Sequence, residues 1–163
     1  MFQLHVDARE ANRMLDEASH RCHNMTSALE KSKVFLEGNI HQGFAQQRDP
    51  WGNAWLPLQD STLSLRKRRG NSGSKILSDT GTMEQSLKTV VDTQGLTMTM
   101  DDFSGVHQEG NPANLIFNRA SAPIPARRIF PTINDDVVFP DAWADQLAFY
   151  FSEMMEQAFD SSH

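Results

Sequence analysis

The chain has 163 residues, a formal net charge of −6 and a single cysteine, Cys22. A chain of this length can bury a hydrophobic core of its own, so we predict one domain over residues 1–163. The acidic balance argues against a general nucleic-acid-binding protein, because such proteins gain affinity from clustered Lys and Arg. One cysteine excludes an intramolecular disulfide framework and a cysteine-rich zinc site, and it fits a reducing compartment.

The sequence shows no targeting or membrane segment. The first residues, MFQLHVDARE, lack the basic start and apolar centre of a signal peptide. No apolar run approaches the ~20 residues that a membrane helix needs. We therefore expect a protein that is made in the cytoplasm and has no membrane partner.

The N-terminal region is predicted to form one strand and then a long helix. Apolar and polar residues alternate over residues 2–6, which is the period of a half-buried strand. Asp7 followed by Glu10 has the form of a capping box, and an apolar stripe then continues at helical spacing to Phe44. Such a helix would be ~60 Å long, which is longer than a compact domain of this size is wide. We therefore expect it either to break, with Asn24 as the first candidate, or to project.

Residues 49–58, with the sequence DPWGNAWLPL, are predicted to end this helix and are here called the tryptophan loop. Pro50 cannot continue a helix, so the helix should end by about Arg48. Trp51 and Trp55 flank the turn. We interpret them as amphipathic anchors that hold the loop to the core, with a platform for stacking a ligand as the alternative.

Short elements are predicted after the tryptophan loop. A helix is expected over residues 60–70, followed by a turn at residues 78–81 that leads into a second short helical piece. Residues 89–91 and 96–100 have the composition of strands, and the turn residues between them favour a hairpin.

The last third of the chain completes the predicted fold. Residues 104–111 are expected to form a loop or single turn, and residues 115–129 favour a strand that prolines confine to a sheet edge or an extended arm. A final helix is expected from Asp141 to about Phe159. Together the elements predict an α+β fold: a small, mainly antiparallel sheet of about four strands, packed with a long or broken N-terminal helix and a C-terminal helix.

Four segments of the chain follow the order and approximate spacing of a known family: FAQQRDPWGNAWLPL from Phe44, TG from Thr80, HQEGN from His107 and PIPARRIF from Pro123. On these segments the chain resembles the phage virion morphogenesis family, which contains the tail completion proteins of contractile-tailed phages and related proteins of Mu-like prophages. The resemblance implies a phage or prophage structural protein, without enzymatic activity or a cofactor. It would act as a tail terminator or neck component that caps the tail and helps to join it to the head.

The resemblance also implies partners and a location. The expected partners are further copies of the chain, the tail tube or sheath proteins, and the head connector proteins. The expected location is the virion, in the tail or neck, after assembly in the cytoplasm of the host bacterium.

Two groups of residues offer chemistry that the sequence does not complete. His107, Glu109 and a neighbouring aspartate are the candidate site of a small hydrolase, which is one alternative function, but no serine or cysteine stands in a nucleophile context. A turn histidine whose ring bonds to the backbone is the preferred interpretation. His20 and His23 have the spacing of two zinc ligands, with Asp16 one turn before, but a solvated polar face explains them as well. We therefore predict no catalytic residue and no metal site.

Basic residues provide the strongest charge feature of this acidic chain. A tetrad lies at the end of the helix predicted over residues 60–70: Arg66, Lys67, Arg68 and Arg69. Cations near a helix C-terminus complement its macrodipole, which explains one or two of the four charges. The excess favours contact with phosphate or an acidic partner, including a transient contact with DNA, and a DNA-binding accessory protein is the second alternative function. Arg127 and Arg128 lie in a proline-flanked segment that suits bidentate pairing with a carboxylate, in the fold or on a neighbouring subunit.

The C-terminal helix carries three consecutive aromatic residues, Phe149, Tyr150 and Phe151. Successive residues of a helix point about 100° apart, so the three cannot all face one core. Tyr150 fits the apolar stripe and Phe151 its border, which leaves Phe149 facing outward. We therefore predict a ring of identical subunits, a hexamer to match the tail symmetry that the resemblance implies, with Phe149 and Phe151 at the junction.

Overall fold

The computed structural model describes residues 9–71, 73–111 and 123–160. Within these ranges the chain forms five helices and four short strands: α1 Arg9–Gln46, α2 Asp60–Arg68, α3 Thr82–Gln85, β1 Lys88–Asp92, β2 Gly95–Thr99, α4 Asp102–Glu109, β3 Thr132–Ile133, β4 Asp136–Val137 and α5 Asp141–Asp160. The fold is α+β, as predicted. The strand predicted at residues 2–6 lies outside the described residues.

The four strands pair as two separate antiparallel hairpins, β1 with β2 and β3 with β4. The prediction expected a similar number of strands but placed them in one sheet. The strand predicted over residues 115–129 begins outside the described residues. In the described segment, residues 123–131, Pro123, Pro125 and Pro131 have no backbone N–H to give to a ladder. This segment is extended, and its backbone forms one isolated bridge, between Asn111 and Ile124.

Helix α1 is continuous over its 38 residues, so the break expected near Asn24 does not occur. The polar residues there have weak helix propensity, but their cost, roughly 0.5 kcal/mol each, is smaller than the cooperative gain from an unbroken ladder of hydrogen bonds. The helix ends at the tryptophan loop, as predicted. Gln47 adopts a left-handed φ of 56°, and the N–H of Arg48 donates to the carbonyl oxygen of Gly43 at 3.0 Å, which closes the last turn.

The core lies between α1, the tryptophan loop and segments far along the chain. Its buried residues are Ile40, Phe44, Trp55, Ile76, Leu77 and Ile129. The rings of Phe44 and Trp55 meet edge to face with centroids 5.5 Å apart, an arrangement that aromatic pairs prefer. Trp55 is 6% exposed, which confirms its predicted role as an anchor, whereas Trp51 is half-buried.

Helix α5 packs against α1 through aromatic side chains. The ring of Phe35 meets the rings of Trp143 and Tyr150 edge to face, with centroids 6.2 Å and 6.1 Å apart. Lys31 and Glu153 form an ion pair at 2.7 Å one turn further along. Higher numbers in α1 meet lower numbers in α5, so the helices run antiparallel, and the stripe predicted for the C-terminal helix faces α1.

The two hairpins differ in how well the sequence predicted them. The β1–β2 hairpin is confirmed: Asp92 lies opposite Gly95, and the Asp92 carboxylate accepts the N–H of Gln94 at 2.7 Å and that of Gly95 at 3.1 Å. The β3–β4 hairpin was not predicted. Its turn residues, Asn134 and Asp135, have positive φ values of 51° and 66°, as the turns of two-residue hairpins require.

Helix α4 replaces the loop or single turn predicted over residues 104–111. The carboxylate of Asp101 accepts the backbone N–H of Ser104 at 3.2 Å and caps the start of the helix. Gly110 follows the last helical residue with a φ of 74°. The sequence contained both helix boundaries, an aspartate cap and a terminal glycine, but the segment between them was too short for its periodicity to be recognised.

Gly110 is required by its conformation and by its surroundings. A Cβ at this position would lie 2.7 Å from the backbone nitrogen of Ala126 and 2.9 Å from the carbonyl oxygen of Ile124. The left-handed φ costs any other residue roughly 1–2 kcal/mol before such contacts are added. The end of α4 therefore lies directly against residues 123–131.

We expect Gly110→Ala to lower the free energy of unfolding by at least about 2 kcal/mol, because the methyl group meets backbone atoms and the φ remains left-handed. Gly105→Ala is the matched control: Gly105 lies inside α4, and the space around its Cβ position is open. Alanine there should raise the free energy of unfolding by about 0.5–1 kcal/mol through helix propensity. Urea denaturation measures both changes. A Gly110→Ala protein as stable as the wild type would contradict the close approach of the two segments.

Candidate functional site

Residues 123–131 are here called the arm, and Gln108 of α4 makes four hydrogen bonds at its end, three to the arm and one to Thr132 next to it. Its Oε1 accepts the backbone N–H of Ile129 at 2.8 Å and that of Phe130 at 3.0 Å. Its Nε2 donates to the carbonyl oxygen of Phe130 at 3.0 Å and to the hydroxyl of Thr132 at 2.8 Å. Gln108 is 8% exposed, so these bonds satisfy every hydrogen-bonding position of a buried amide.

The tryptophan loop binds the same segment. The indole Nε1 of Trp55 donates to the carbonyl oxygen of Arg128 at 3.0 Å. The guanidinium of Arg127 donates from Nε to the carbonyl oxygen of Leu56 at 2.9 Å and from Nη2 to that of Pro57 at 3.1 Å. The arm is one of the segments that carry the family resemblance. Its hydrogen bonds join it to two others, the tryptophan loop and the segment that contains Gln108.

Arg127 is buried, with 5% of its surface exposed, and its partners differ from those predicted. The sequence suggested a carboxylate, but the hydrogen bonds of its guanidinium go to backbone carbonyl oxygens, because the tryptophan loop presents two of them side by side. Burial lowers the pKa of Arg127, and the positive charge of Arg66 lowers this pKa further. Two guanidinium groups are thus held near each other inside the protein.

Arg66 is also buried, with 7% of its surface exposed, and it organises the loop that follows α2. Its Nη1 donates to the carbonyl oxygen of Gly73 at 3.2 Å and to that of Lys75 at 2.8 Å. Its Nε lies 3.3 Å from a carboxylate oxygen of Asp79. The basic tetrad is therefore divided: Arg66 serves the fold, whereas the other members are exposed, namely Lys67, Arg68 and Arg69.

A cleft of about 600 Å³ opens between α2, α4 and the start of the arm, and is here called the basic cleft. Its charged lining consists of Arg66, Arg69, Arg127 and Asp79. Three guanidinium groups therefore share this space with one carboxylate. Much of the remaining wall is apolar and includes Leu58, Leu65, Leu77 and Ile124. This arrangement suits a ligand that combines negative charge with apolar surface.

His107 lies in the wall of the basic cleft. Burial lowers its pKa, the nearby charge of Arg127 lowers it further, and the carboxylate of Asp101 partly opposes both effects. Its backbone carbonyl oxygen accepts the N–H of Arg127 at 2.6 Å. The ring Nδ1 is buried without a hydrogen-bond partner among the described residues, so the predicted bond from the ring to the backbone does not form at this atom.

Two members of the grouping that suggested a hydrolase have identifiable positions in the structure. The carboxylate of Asp101 caps α4, and Glu109 is exposed. Over the described ranges, no three His, Cys, Asp or Glu side chains cluster closely enough to hold a metal ion. The side chains of His20 and His23 lie outside what the structure describes. Within the same residues, no helix is long and apolar enough to span a membrane.

The structure places the remaining candidate interface residues as follows. Phe149 is 57% exposed, as the helical spacing predicted, and Tyr150 packs on Phe35. Phe151 is half-buried. Arg128 is half-buried, and its Nε is shielded from solvent without a hydrogen-bond partner in the part of the chain that is described. The predicted roles of these residues at an interface stay predictions.

Among the comparisons with known proteins, one finds a match. The sequence profile of the phage virion morphogenesis family matches residues 6–137. This range includes the tryptophan loop, α4 and the arm. No curated protein and no solved structure matches the chain.

We expect Gln108→Glu to lower the free energy of unfolding by about 2–4 kcal/mol, because a buried carboxylate cannot donate to the carbonyl oxygen of Phe130 and meets it with like partial charge. Glu109→Gln, at the exposed neighbouring position, is the control and should change stability by less than about 0.5 kcal/mol. Chemical denaturation at neutral pH measures both variants. Equal effects of the two substitutions would show that the Gln108 amide does not hold the arm.

We expect stability to fall as the pH drops from about 7 to about 5, because the pKa of His107 in the folded chain lies below its usual 6.5. The unfolded chain then binds the proton more readily, so the free energy of unfolding decreases with decreasing pH, by up to ~1.4 kcal/mol per pH unit for one proton. His107→Gln should make this dependence shallower. A dependence identical in wild-type and His107→Gln proteins would refute the assignment.

Proposed function

The chain belongs to the phage virion morphogenesis family, and from this premise we propose that it is a tail completion protein. It caps the tail as a terminator or neck component, stops further polymerisation and offers a surface to the head connector. The supporting observation is that the motif residues bond within their own subunit, as Gln108, Arg127 and Trp55 do. Residues used in this way maintain a shape, which is what a capping protein needs.

In this proposal the subunits form a ring, a hexamer that matches the tail symmetry expected for the family. An exposed apolar face on the α1–α5 pair supports it: Val34 is 69% exposed and Phe149 is 57% exposed. Val34 lies three residues after Lys31, and Phe149 lies four residues before Glu153. The Lys31–Glu153 ion pair joins the two helices, which run in opposite directions. Three residues forward along α1 and four residues back along α5 therefore lead the same way along the helix pair. The two apolar side chains are therefore neighbours on one surface, here called the outer face.

In this proposal, burial of the outer face contributes free energy to ring formation. Burying a phenylalanine that was exposed contributes roughly 1.5–3 kcal/mol. In a closed ring the same contact recurs at every junction, so modest contacts add up to a stable assembly. Phe151, which is half-buried, extends the apolar area of α5.

The exposed members of the basic tetrad serve a second surface in the proposal. Lys67, Arg68 and Arg69 lie together at the C-terminal end of α2 and are exposed. Lys67 and Arg68 would meet acidic groups of the tail tube, sheath or head connector proteins, or make a transient contact with DNA that passes through the neck, whereas Arg69 also lines the basic cleft. Such exposed charges act mainly on the rate and specificity of association.

We expect Phe149→Asp to weaken ring assembly, because each junction would then bury a carboxylate in place of a phenyl ring. The concentration for half-assembly should rise at least tenfold, since each ~1.4 kcal/mol lost corresponds to one factor of ten. Light scattering measures the mass, and circular dichroism checks that the subunit is folded.

Met155→Asp is the matched control for this substitution. Met155 is 41% exposed on the same helix and points about 120° away from Phe149, so its replacement should leave assembly unchanged. Assembly that resists Phe149→Asp, or that both substitutions weaken equally, would remove the outer face from the proposal.

A further inference from the structure

The β3–β4 hairpin presents both acidic and apolar side chains to solvent. Every residue from 133 to 138 is exposed, and this segment is here called the acidic knob. Its carboxylates are those of Asp135 and Asp136. Its apolar side chains are partly to largely exposed: Ile133 at 38%, Val137 at 64% and Val138 at 39%. A two-stranded hairpin is marginally stable by itself, and clustered exposed apolar residues of this kind mark a contact surface.

The basic cleft has the opposite character. Hydrogen bonds hold its Arg127 guanidinium to carbonyl oxygens, and in the described part of the chain no carboxylate pairs with it. Asp79, the acidic group of the lining, pairs with Arg66. A buried positive charge without a negative partner is unfavourable, and guanidinium groups pair well with carboxylates. The cleft therefore has room and charge for a carboxylate, and its leucine side chains suit an apolar neighbour of that carboxylate.

Among the described residues, the subunit places no carboxylate besides that of Asp79 in the lining of its own cleft. Residues 112–122, which join Asn111 to the arm, contain no Asp or Glu. The acidic knob follows the far end of the arm, whereas the cleft is lined by the near end. Val138 instead borders a separate shallow depression that contains Trp51 and Trp143 and shares no residue with the basic cleft. The complementary surfaces lie in two different places on one molecule.

We infer that the acidic knob of one subunit inserts into the basic cleft of a neighbouring copy of the chain. Asp136 pairs with Arg69 and Arg127, and Val137 packs against Leu65 of the cleft wall. Such a contact joins two different patches, so it is heterologous and propagates from subunit to subunit until the ring closes. This inference rests on the proposed ring and specifies how its subunits recognise each other. Phosphate is a poorer occupant, because it offers nothing to the apolar part of the wall.

Reciprocal charge reversal tests the pairing. Arg69→Glu and Asp136→Arg should each raise the concentration for half-assembly at least tenfold, because each places like charges at every junction. The chain that carries both substitutions should assemble within about threefold of the wild type, since the charges are then exchanged rather than lost. Lys88→Glu is the control, as Lys88 is exposed on β1 and lies outside the cleft and the knob, and this variant should assemble normally.

Cross-linking tests proximity in the assembled protein. In a Cys22→Ser background, Leu65→Cys chains and Val137→Cys chains are mixed, allowed to assemble and treated with a short bifunctional maleimide. A dimer that joins one chain of each kind is expected, and replacing Val137→Cys by Val90→Cys, which is 59% exposed on β1, should abolish it. Rings that form without this cross-link and without charge rescue would overturn the inference and leave the proposed ring intact. A wild-type chain that stays monomeric would reject the ring itself, and DNA binding lost in Arg69→Glu while rings persist would assign the cleft to nucleic acid.

Discussion

Hydrogen bonds to the buried amide of Gln108, three from the arm and one from the adjacent Thr132, fix the position of the arm. Ile129, one of the residues bonded to this amide, is 3% exposed in the core. Leaving any one of these groups without a partner would cost roughly 1–3 kcal/mol, so the arm docks in a single register. That register brings Arg127 onto the carbonyl oxygens of the tryptophan loop and next to Arg66. It also determines where the β3–β4 hairpin leaves the domain.

Residues with restricted or unusual backbone conformations predicted the elements whose ends they mark. Pro50 ended α1, and the turn residues before Gly95 identified the β1–β2 hairpin. Helix α4 and the β3–β4 hairpin were missed because two turns of helix, or strands of two residues, are too short for a periodic pattern. Their boundaries were nevertheless present, as Asp101 before α4 and as the Asn134–Asp135 pair, whose side chains tolerate a left-handed backbone. The two hairpins remain separate, since the prolines of the arm keep it out of a ladder that would join them.

The basic cleft was harder to predict, because a charged residue that is expected to be solvated can instead be buried and stabilise the fold. A run such as the tetrad from Arg66 is expected to be solvated, yet its first member is buried and ties down a loop, while the others are exposed. Arg127 was expected to find a carboxylate and found backbone carbonyl oxygens instead. These two arginines are far apart in the sequence, and only the docking of the arm brings their charges together. Sequence spacing could identify each basic segment, but it could not show that they share a cleft.

The residues that hold the arm and those of the outer face differ in their relation to the family match. The family match ends at residue 137, before α5, so the outer face of α5 lies beyond the region that the family shares. Within the match, Gln108 and Arg127 hold the arm rigidly, with the cleft at one end of it and the acidic knob at the other. If neighbouring copies join by knob and cleft, the angle between them is determined by the arm, because both surfaces are attached to it. The number of subunits that closes a ring then follows from a distance and a rotation inside one subunit, and the hydrogen bonds of Gln108 hold both constant.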